Sequence, residues 1–356
     1  MGRLLVVDPA QRAVLCDLDS GERAVLGDES DLPPAGVWAP TRTAVWSPAG
    51  QWAAWAVDSG EVDGVQEVRI FDRGAGSTRV LASAVPAFYL SPSPCGRYLS
   101  HLSAGPLGLE MAVSEIASGE LRVIERGQPL FWSWSSDASR IAVHVGDRAS
   151  VTSVGGDAVL VLTEDAGAFQ SPWWMPDGSV VFASDRAIVC QGPDSSARPI
   201  TAGPQAGRFA LDPEGRRLAF VEIVGDVTSL IVRDLLTGER DVVLAESMAA
   251  FFWSPEGRRL AVLGLAGPGL MQWIVSDGER VKRLDPFRPS TRWLREVLPF
   301  FEQYAQSHAV WSADGAQLVA PALAADGSPE AVVQTVDGDA PDRRVPDATL
   351  AWWAVD

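Results

Sequence analysis

The chain has 356 residues, of which 47% are apolar, and it contains 33 glycines and 25 prolines. So many turn-forming residues between short apolar runs favour many short strands over long helices. The formal charge of −17 repels phosphate backbones and anionic membranes, so neither nucleic acid nor a membrane is an expected partner. No apolar run approaches the roughly 18–20 residues of a membrane span.

Residues 1–9 place an acid and a proline where a secretory signal peptide would continue its apolar stretch. We therefore expect a cytoplasmic protein, and a composition rich in arginine with Lys282 as its single lysine is typical of a bacterial genome rich in G and C. Cys16, Cys95 and Cys190 lie far apart, without Cys-x-x-Cys spacing or paired histidines. We expect all three to be buried apolar residues, with no disulfide, no metal site and no cofactor.

One short phrase recurs along the whole chain: an aromatic strand, a tight turn of Pro, Asp or Glu and Gly, and an alternating apolar strand. It is clearest at Phe252-Trp253-Ser254-Pro255-Glu256-Gly257. In chain order, its turns end at residues 50, 96, 138, 178, 215, 257 and 315. An acid before glycine supplies the positive φ that a tight hairpin needs. A period of about 40–45 residues with four strands per unit is that of a β-propeller blade.

The two ends of the chain complete the count of blades. Residues 1–27 contain three strands without the aromatic opening strand, and residues 349–355 form an opening strand without its followers. Together they make one blade, a closure that removes free sheet edges. The sequence thus predicts an all-β fold, a single β-propeller domain spanning residues 1–356 with eight four-stranded blades. Seven blades is the alternative if the terminal segments form only a partial blade.

These repeats resemble the Trp-Ser-Pro-Asp-Gly repeats of TolB-type propellers, which are also found in the propeller domains of tricorn-type and dipeptidyl-peptidase-like proteins. The resemblance covers essentially the whole chain and implies the fold alone, because this repeat serves many unrelated roles. TolB-type proteins are exported, whereas this sequence shows no signal peptide. The peptidases carry an α/β-hydrolase domain, and this sequence contains no Gly-x-Ser-x-Gly elbow. Neither function is carried over.

The longest spacing between turns, from residue 257 to residue 315, contains a helical insert at about residues 286–306. Apolar residues at positions 293, 294, 297, 298, 301 and 304 have helical spacing. Ser290 is the candidate N-cap, and Pro299 predicts a break at residue 298 with a second short helix after it. We expect the insert to precede the innermost strand of its blade, on the face where the central channel opens.

A site is expected at the mouth of this channel. The other blades place polar residues at or just before their inner strands: Arg42, Gln128, Gln170, Arg208, Glu246 and Asp347. The insert adds Arg292 and Tyr304 and leads into His308, the candidate catalytic acid or base. Converging on one channel, these residues would bind a small polar or anionic molecule, with Arg42 and Arg208 as carboxylate forks. The alternatives are a water-filled channel, and an insert that only plugs the rim through Trp293, Val297 and Phe301.

Two main classes of function follow. The first is a non-catalytic, monomeric binding module that holds a protein, a peptide or a small polar molecule at the channel face. The second is a metal-independent enzyme, such as a lyase, cyclase or isomerase of bacterial secondary metabolism, that works through His308. A third is an accessory protein to a transporter or a peptidase. The binding module is favoured because the sequence contains no recognisable catalytic constellation.

Overall fold

The structure is a computed structural model that describes residues 2–26, 44–58, 66–84, 87–106, 108–156, 159–167, 170–192, 196–201, 208–338 and 340–354. These ranges contain 32 strands, numbered β1–β32 in chain order, in eight four-stranded antiparallel sheets. The fold class is all-β, an eight-bladed propeller, which confirms the prediction of eight blades over seven.

The chain divides into two compact units of four sheets each. The first unit comprises Met1–Gly127, Phe287–Phe300 and Gln306–Asp356. Sheet 1 has β1 (Arg3–Val7), β2 (Ala13–Asp17), β3 (Arg23–Val25) and β32 (Leu350–Trp353), and sheet 2 has β4 (Ala44–Trp46), β5 (Trp52–Asp58), β6 (Gln66–Asp72) and β7 (Ser77–Ala84). Sheet 3 has β8 (Ala87–Pro92), β9 (Tyr98–Gly105), β10 (Gly108–Glu115) and β11 (Leu121–Gly127), and sheet 8 has β28 (Arg288–Pro289), β29 (Gln317–Leu323), β30 (Pro329–Thr335) and β31 (Arg343–Pro346).

The second unit comprises Gln128–Pro286 and Phe301–Ala305. Sheet 4 has β12 (Leu130–Trp134), β13 (Arg140–Val145), β14 (Arg148–Ser153) and β15 (Val159–Thr163), and sheet 5 has β16 (Trp173–Trp174), β17 (Val180–Ala183), β18 (Ile188–Gln191) and β19 (Arg198–Pro199). Sheet 6 has β20 (Phe209–Leu211), β21 (Arg217–Val224), β22 (Val227–Asp234) and β23 (Arg240–Leu244), and sheet 7 has β24 (Met248–Trp253), β25 (Leu260–Gly267), β26 (Leu270–Ser276) and β27 (Val281–Arg283).

The N- and C-terminal strands pair in sheet 1, which confirms the predicted closure. Strand β32 runs antiparallel to β1, with Leu4 opposite Trp353 and Val7 opposite Leu350. The other edge of β1 pairs with β2 over five residue pairs. As a result, β1 has a hydrogen-bonded neighbour on both sides and presents no free edge.

The serine of the repeated phrase holds the turn between the first two strands of a blade. Ser254 Oγ accepts a hydrogen bond from the backbone N–H of Arg259, five residues later, at 3.0 Å. Between them the turn needs a positive φ, which Gly257 provides at 69° and Ala138 adopts at the equivalent place at 57°. The same serine-to-amide bond recurs at Ser47, Ser93, Ser135 and Ser312.

Indole groups join neighbouring blades. In the second unit, Trp253 Nε1 of sheet 7 donates to the carbonyl oxygen of Ala210 in sheet 6 at 3.1 Å. The Arg217 guanidinium of sheet 6 lies 4.8 Å from the centroid of the Trp253 ring and bonds to Asp212 at 3.1 Å. A cation over an indole adds an attraction to the area that the ring buries. The aromatic residues of the repeat thus act as the contacts between blades.

The insert interrupts the innermost strand of sheet 8 instead of preceding it, so the predicted position is wrong. Pro289 pairs with Ala322 of β29, and Trp311 forms a bridge to Leu318 of the same strand. On β29 only the three residues 319–321 separate these two partners, whereas 21 residues separate Pro289 from Trp311. The inner strand therefore consists of two pieces with 18 surplus residues between them. The first piece could not be recognised in the sequence, because Arg288–Pro289 lacks the aromatic phrase.

The surplus residues form a succession of short helical turns: a π-helical turn (Trp293–Val297), a 3-10 turn (Leu298–Phe300) and one α-helical turn (Phe301–Tyr304). Ser290 Oγ accepts from the backbone N–H of Trp293 at 3.2 Å, so the predicted cap is confirmed. Pro299 has no N–H to donate to the preceding turn, which is why a regular α-helix does not continue through it. Within the ranges given above, no helix is long and apolar enough to cross a membrane.

Candidate functional site

The insert has a buried side and an exposed side in the first unit. Trp293 is 1% exposed and packs against Phe287 with their ring centroids 6.3 Å apart. Val297 is also buried, whereas the side chains of Leu294 and Phe300 are 42% and 47% exposed. Burial on one side fixes the insert on its sheet, and the other side then presents large apolar groups to solvent.

We define the insert face as the exposed residues of these turns, which are Leu294, Arg295, Pro299 and Phe300. Residues 287–300 contain three arginines and one acidic residue. The segment is therefore locally basic in a chain whose formal charge is −17. The insert face thus places exposed apolar groups beside an excess of positive charge.

Arg292, a predicted ligand-binding residue, makes bonds within the first unit. Its Nε lies 2.9 Å from a carboxylate oxygen of Glu296, and its Nη1 donates to Thr349 Oγ1 at 3.3 Å. The side chain is 12% exposed. In this arrangement Arg292 ties the insert to the segment that precedes β32, and its role towards a ligand stays a prediction.

His308, the predicted acid or base, is 3% exposed and lies between two aromatic rings. The Tyr89 ring stacks on it with centroids 6.5 Å apart, and the Trp352 ring meets it edge-on at 4.4 Å. His308 Nδ1 is 2.9 Å from Ser307 Oγ, which donates to the Tyr89 hydroxyl at 3.2 Å. Burial raises the pKa of Tyr89 well above its usual value, so this hydroxyl stays protonated. Tyrosine, serine and histidine thus form one hydrogen-bonded row.

Gln170 bonds to residues of two sheets of the second unit, and its predicted role in binding a ligand stays a prediction. Its side-chain amide donates to the carbonyl oxygen of Phe209 at 3.1 Å and accepts from the Phe209 N–H at 3.3 Å. Its own carbonyl oxygen lies 3.1 Å from a ring nitrogen of His144. The residue is 2% exposed. The amide pairs with the first residue of β20 much as a neighbouring strand would.

Arg208 contacts the α-helical turn of the insert, which belongs to the same unit. Its Nε lies 3.1 Å from a Glu302 carboxylate oxygen, and its guanidinium is 5.4 Å from the centroid of the Phe301 ring. Burial raises the pKa of Glu302, and the Arg208 charge offsets only part of that rise. Tyr304, predicted to face a ligand, is 4% exposed in this turn. The ligand-binding roles of Arg208 and Tyr304 stay predictions.

The remaining predicted residues lie near the surface or outside the described ranges. Glu246 pairs with Arg283 at 2.8 Å, and both side chains are at least 40% exposed, so the pair contributes little to stability. Asp347 is exposed at a φ of 54°, and its carbonyl oxygen accepts from Arg23 at 3.3 Å. Gln128 is exposed. Arg42 lies outside the described residues.

Several residues of these arrangements escaped the sequence analysis. Ser307 stands next to His308 in the sequence, and that adjacency is a signal that could have indicated the pair. Tyr89 comes from sheet 3 and Thr349 from the end of the chain, so only the fold brings them to the insert. Glu302 follows Phe301 in a segment whose apolar spacing gives no sign of a buried carboxylate.

The cysteines and the metal-ligating residue types give no site in the described ranges. Those ranges contain no group of three or more His, Cys, Asp or Glu residues that could hold a metal ion. Cys16 and Cys190 are buried, and burial raises the pKa of both thiols. Cys95 is exposed, so its predicted burial is wrong. It stands in the hairpin turn of sheet 3, between Ser93, whose Oγ accepts from the backbone N–H of Tyr98, and Gly96.

No family model matches the chain, and no curated protein matches it in sequence. Among solved structures, the β-propeller domain of the Trilobed protease from Pyrococcus furiosus is 12% identical, with a TM-score of 0.57 over 87% of this chain and 99% of that one. Oligogalacturonate lyase from Vibrio parahaemolyticus is 13% identical, with a TM-score of 0.58 over 94% and 98%. TolB from Acinetobacter baumannii is 15% identical, with a TM-score of 0.46 over 77% and 78%.

At these identities the likeness shows the fold alone. The match to the propeller of the Trilobed protease confirms the resemblance to β-propellers at that level. A lyase and a propeller domain of a protease stand among the similar structures, and one fold serves many unrelated functions. The function of this chain therefore has to be argued from its own residues.

Proposed function

We propose that the protein is a non-catalytic binding module whose insert face holds a protein or peptide partner. The observation that carries this proposal is the outward orientation of Leu294 and Phe300 on an insert that is fixed by buried residues. A rigid scaffold with an exposed apolar insertion is a common arrangement for recognition. An aromatic side chain of this kind is the usual anchor of a protein interface.

The charge around the insert face indicates the chemistry of the partner. Arg288 and Arg295 are exposed on the same segment, whereas Arg292 is paired with Glu296. Positive groups next to apolar ones favour a partner segment that combines an apolar side chain with carboxylates. Acidic parts of the surface disfavour docking of such a segment, because like charges repel.

The predicted polar residues also support recognition of a macromolecule over a small polar ligand. The side-chain amide of Gln170 is hydrogen-bonded to Phe209. The guanidinium of Arg292 is bonded to Glu296 and Thr349. A small polar ligand would have to displace these internal bonds before it could bind. An apolar anchor on the insert face has no such bond to break.

The proposal is tested by selecting peptides from a random displayed library on the immobilised wild-type protein. We expect enriched peptides to combine an apolar residue with aspartate or glutamate. The double substitution Leu294→Ser and Phe300→Ser should weaken binding of a selected peptide by about 30-fold or more, because hot-spot residues contribute about 2 kcal/mol or more each. Isothermal titration calorimetry of both proteins measures the change.

The matched control removes two exposed apolar residues of the same unit that lie away from the insert. Val80 and Leu121 are 45% and 40% exposed on β7 and β11. The variant Val80→Ser with Leu121→Ser should bind the selected peptide like the wild type. Equal losses in the two double variants, or no loss in either, would contradict the proposal.

Acid–base catalysis at His308 is the second candidate function, favoured by the row of Tyr89, Ser307 and His308. Ser307 is half-buried, so it is the member of the row that a substrate would reach first. His308 Nδ1 and Ser307 Oγ are 2.9 Å apart, within the distance over which an imidazole and a hydroxyl can exchange a proton. The reaction class would be a metal-independent proton transfer, as in a lyase, cyclase or isomerase.

Native mass spectrometry separates the two candidates. If His308 serves catalysis, the wild-type protein should carry a small molecule from the cell that the Ser307→Ala variant binds about tenfold less or not at all. If the row serves packing, the two native spectra should show the same bare protein. In that case His308→Phe, which keeps a ring between Tyr89 and Trp352, should leave the melting temperature within a few degrees of wild type.

A further inference from the structure

A groove of about 840 Å³ lies at the hairpin-turn ends of sheets 2 and 3 in the first unit. Its floor includes Trp52, whose Nε1 donates to the carbonyl oxygen of Gly96 at 2.8 Å and so joins the two sheets. Arg73, Arg79 and Arg97 line it. The groove shares no residue with the insert face, and neither candidate function uses it.

Two of these guanidinium groups bond only to neutral oxygens. Arg73 Nη1 donates to the carbonyl oxygen of Gly50 at 3.4 Å, and Arg79 Nη2 donates to that of Ile116. Among the described residues, neither has a carboxylate within 4.0 Å. A guanidinium has five N–H donors, so each retains both donor capacity and its full charge. The carbonyl bonds hold the two side chains at the groove without neutralising them.

The other charged groups leave an excess of positive charge. Arg97 is paired with Glu115 at 2.7 Å, although its side chain remains 63% exposed. Asp72, the one acid among the described residues that line the groove, accepts a bond from the backbone N–H of Ala75 at 2.9 Å. A local excess of positive charge in a chain of formal charge −17 concentrates anions at this place.

From this arrangement we infer that the groove is a second binding site, for a small organic polyanion that bears phosphate or carboxylate groups. Guanidinium forks match both groups in geometry and bind them with charge-assisted hydrogen bonds. The volume is within the range of about 300–1,000 Å³ that is usual for small-molecule sites, and exceeds what a single inorganic anion fills. One anionic group meets Arg73 and Arg79, and the rest of the molecule extends along Ala117 towards Arg97.

The inference is tested by titrating the full-length protein with pyrophosphate and with citrate at low ionic strength, with glucose as a neutral comparison. We expect calorimetry to detect binding of at least one of the two anions and none of glucose. Tighter binding of pyrophosphate assigns a phosphate ligand, and tighter binding of citrate assigns a carboxylate ligand. Replacing Arg73 and Arg79 with glutamine should weaken binding about tenfold or more, because two charge-assisted contacts are lost.

Two further variants keep the test decisive. Ala117→Asp leaves all three arginines in place and introduces a negative charge into the groove, so it should weaken anion binding by a similar factor even if the double variant folds poorly. Arg23→Gln with Arg343→Gln is the matched control, since both of these exposed arginines also donate to carbonyl oxygens, of Pro346 and Leu18, away from the groove. Absence of binding to both anions, or equal binding by the wild type and the groove variants, would overturn the inference.

Discussion

Replacing Trp293 with alanine is expected to lower the free energy of unfolding by about 3–5 kcal/mol. The side chain is 1% exposed and is among the largest that the first unit buries completely. Its removal loses the free energy gained by transferring the indole out of water. It also leaves a cavity beside Phe287 that the short, irregular turns of the insert can fill only in part. The insert is thus expected to contribute to the stability of the protein as well as to recognition.

Urea denaturation of the variant and the wild type measures this loss. The matched control is Leu294→Ala, the neighbouring residue on the exposed side, which should change the free energy of unfolding by less than about 1 kcal/mol. An equal effect of the two substitutions would show that the insert does not present these faces as described. A large loss of unfolding free energy for Leu294→Ala alone would show that Leu294, and not Trp293, lies on the buried side.

Lowering the pH below about 6.5 should destabilise the protein through His101. This histidine is 1% exposed on β9, opposite Ala112 and Leu90, and among the described residues its Nδ1 has no hydrogen-bond partner. Burial lowers the pKa of His101 from 6.5 to about 4, because the charged ring would lose its hydration. At neutral pH the ring is therefore held uncharged in the folded protein.

The direction of this change in stability depends on whether the folded or the unfolded chain takes up the proton first. The unfolded chain binds a proton at His101 as the pH falls below about 6.5, while the folded chain does so only near pH 4. Stability is therefore complete above pH 6.5, falls between 6.5 and 4, and loses nothing more to this group below that. The loss is about 2 kcal/mol by about pH 5 and about 3 kcal/mol in all.

The comparison of wild type with His101→Leu isolates this contribution. Urea midpoints measured from about pH 7.5 to about pH 5 should fall steeply for the wild type and much less for the variant, which keeps every other titrating group. Parallel pH profiles of the two proteins would contradict the assignment. A steeper profile for the variant would place the destabilising proton on another residue.

The repeat made the fold predictable because the same types of residue recur at the turn of each blade. Ser254 and Gly257 belong to a turn whose side-chain bond and positive φ both depend on residue type. Such a turn can be recognised in the sequence without knowing which residues pack against it. The closing pair of β1 and β32 could also be predicted, since each end lacked what the other supplied. Arg288–Pro289 could not, because two residues without the phrase carry no periodicity.

The candidate site was predicted less well, because its geometry depends on contacts between distant segments. The sequence predicted Gln170 and Arg208 at or just before the first strands of their sheets, but it could not show that Phe209 and Glu302 would bond to them. The apolar spacing of the insert included both Trp293 and Leu294 and did not distinguish the buried one from the exposed one. Which side of an irregular turn is buried is decided by the sheet beneath it, and the spacing does not contain that information.

The continuity of pairing across the insert bears on how this protein could change over evolution. Because Pro289 and Trp311 keep the same register on β29, excision of 18 of the 21 intervening residues would leave a complete sheet with an unbroken inner strand. Strand pairing in sheet 8 therefore does not depend on the length of the insert, whereas the stability of the protein depends on its buried residues such as Trp293. Lineages carrying this blade could acquire or lose a specificity in one genetic event, and a designer could graft another recognition segment at the same two junctions.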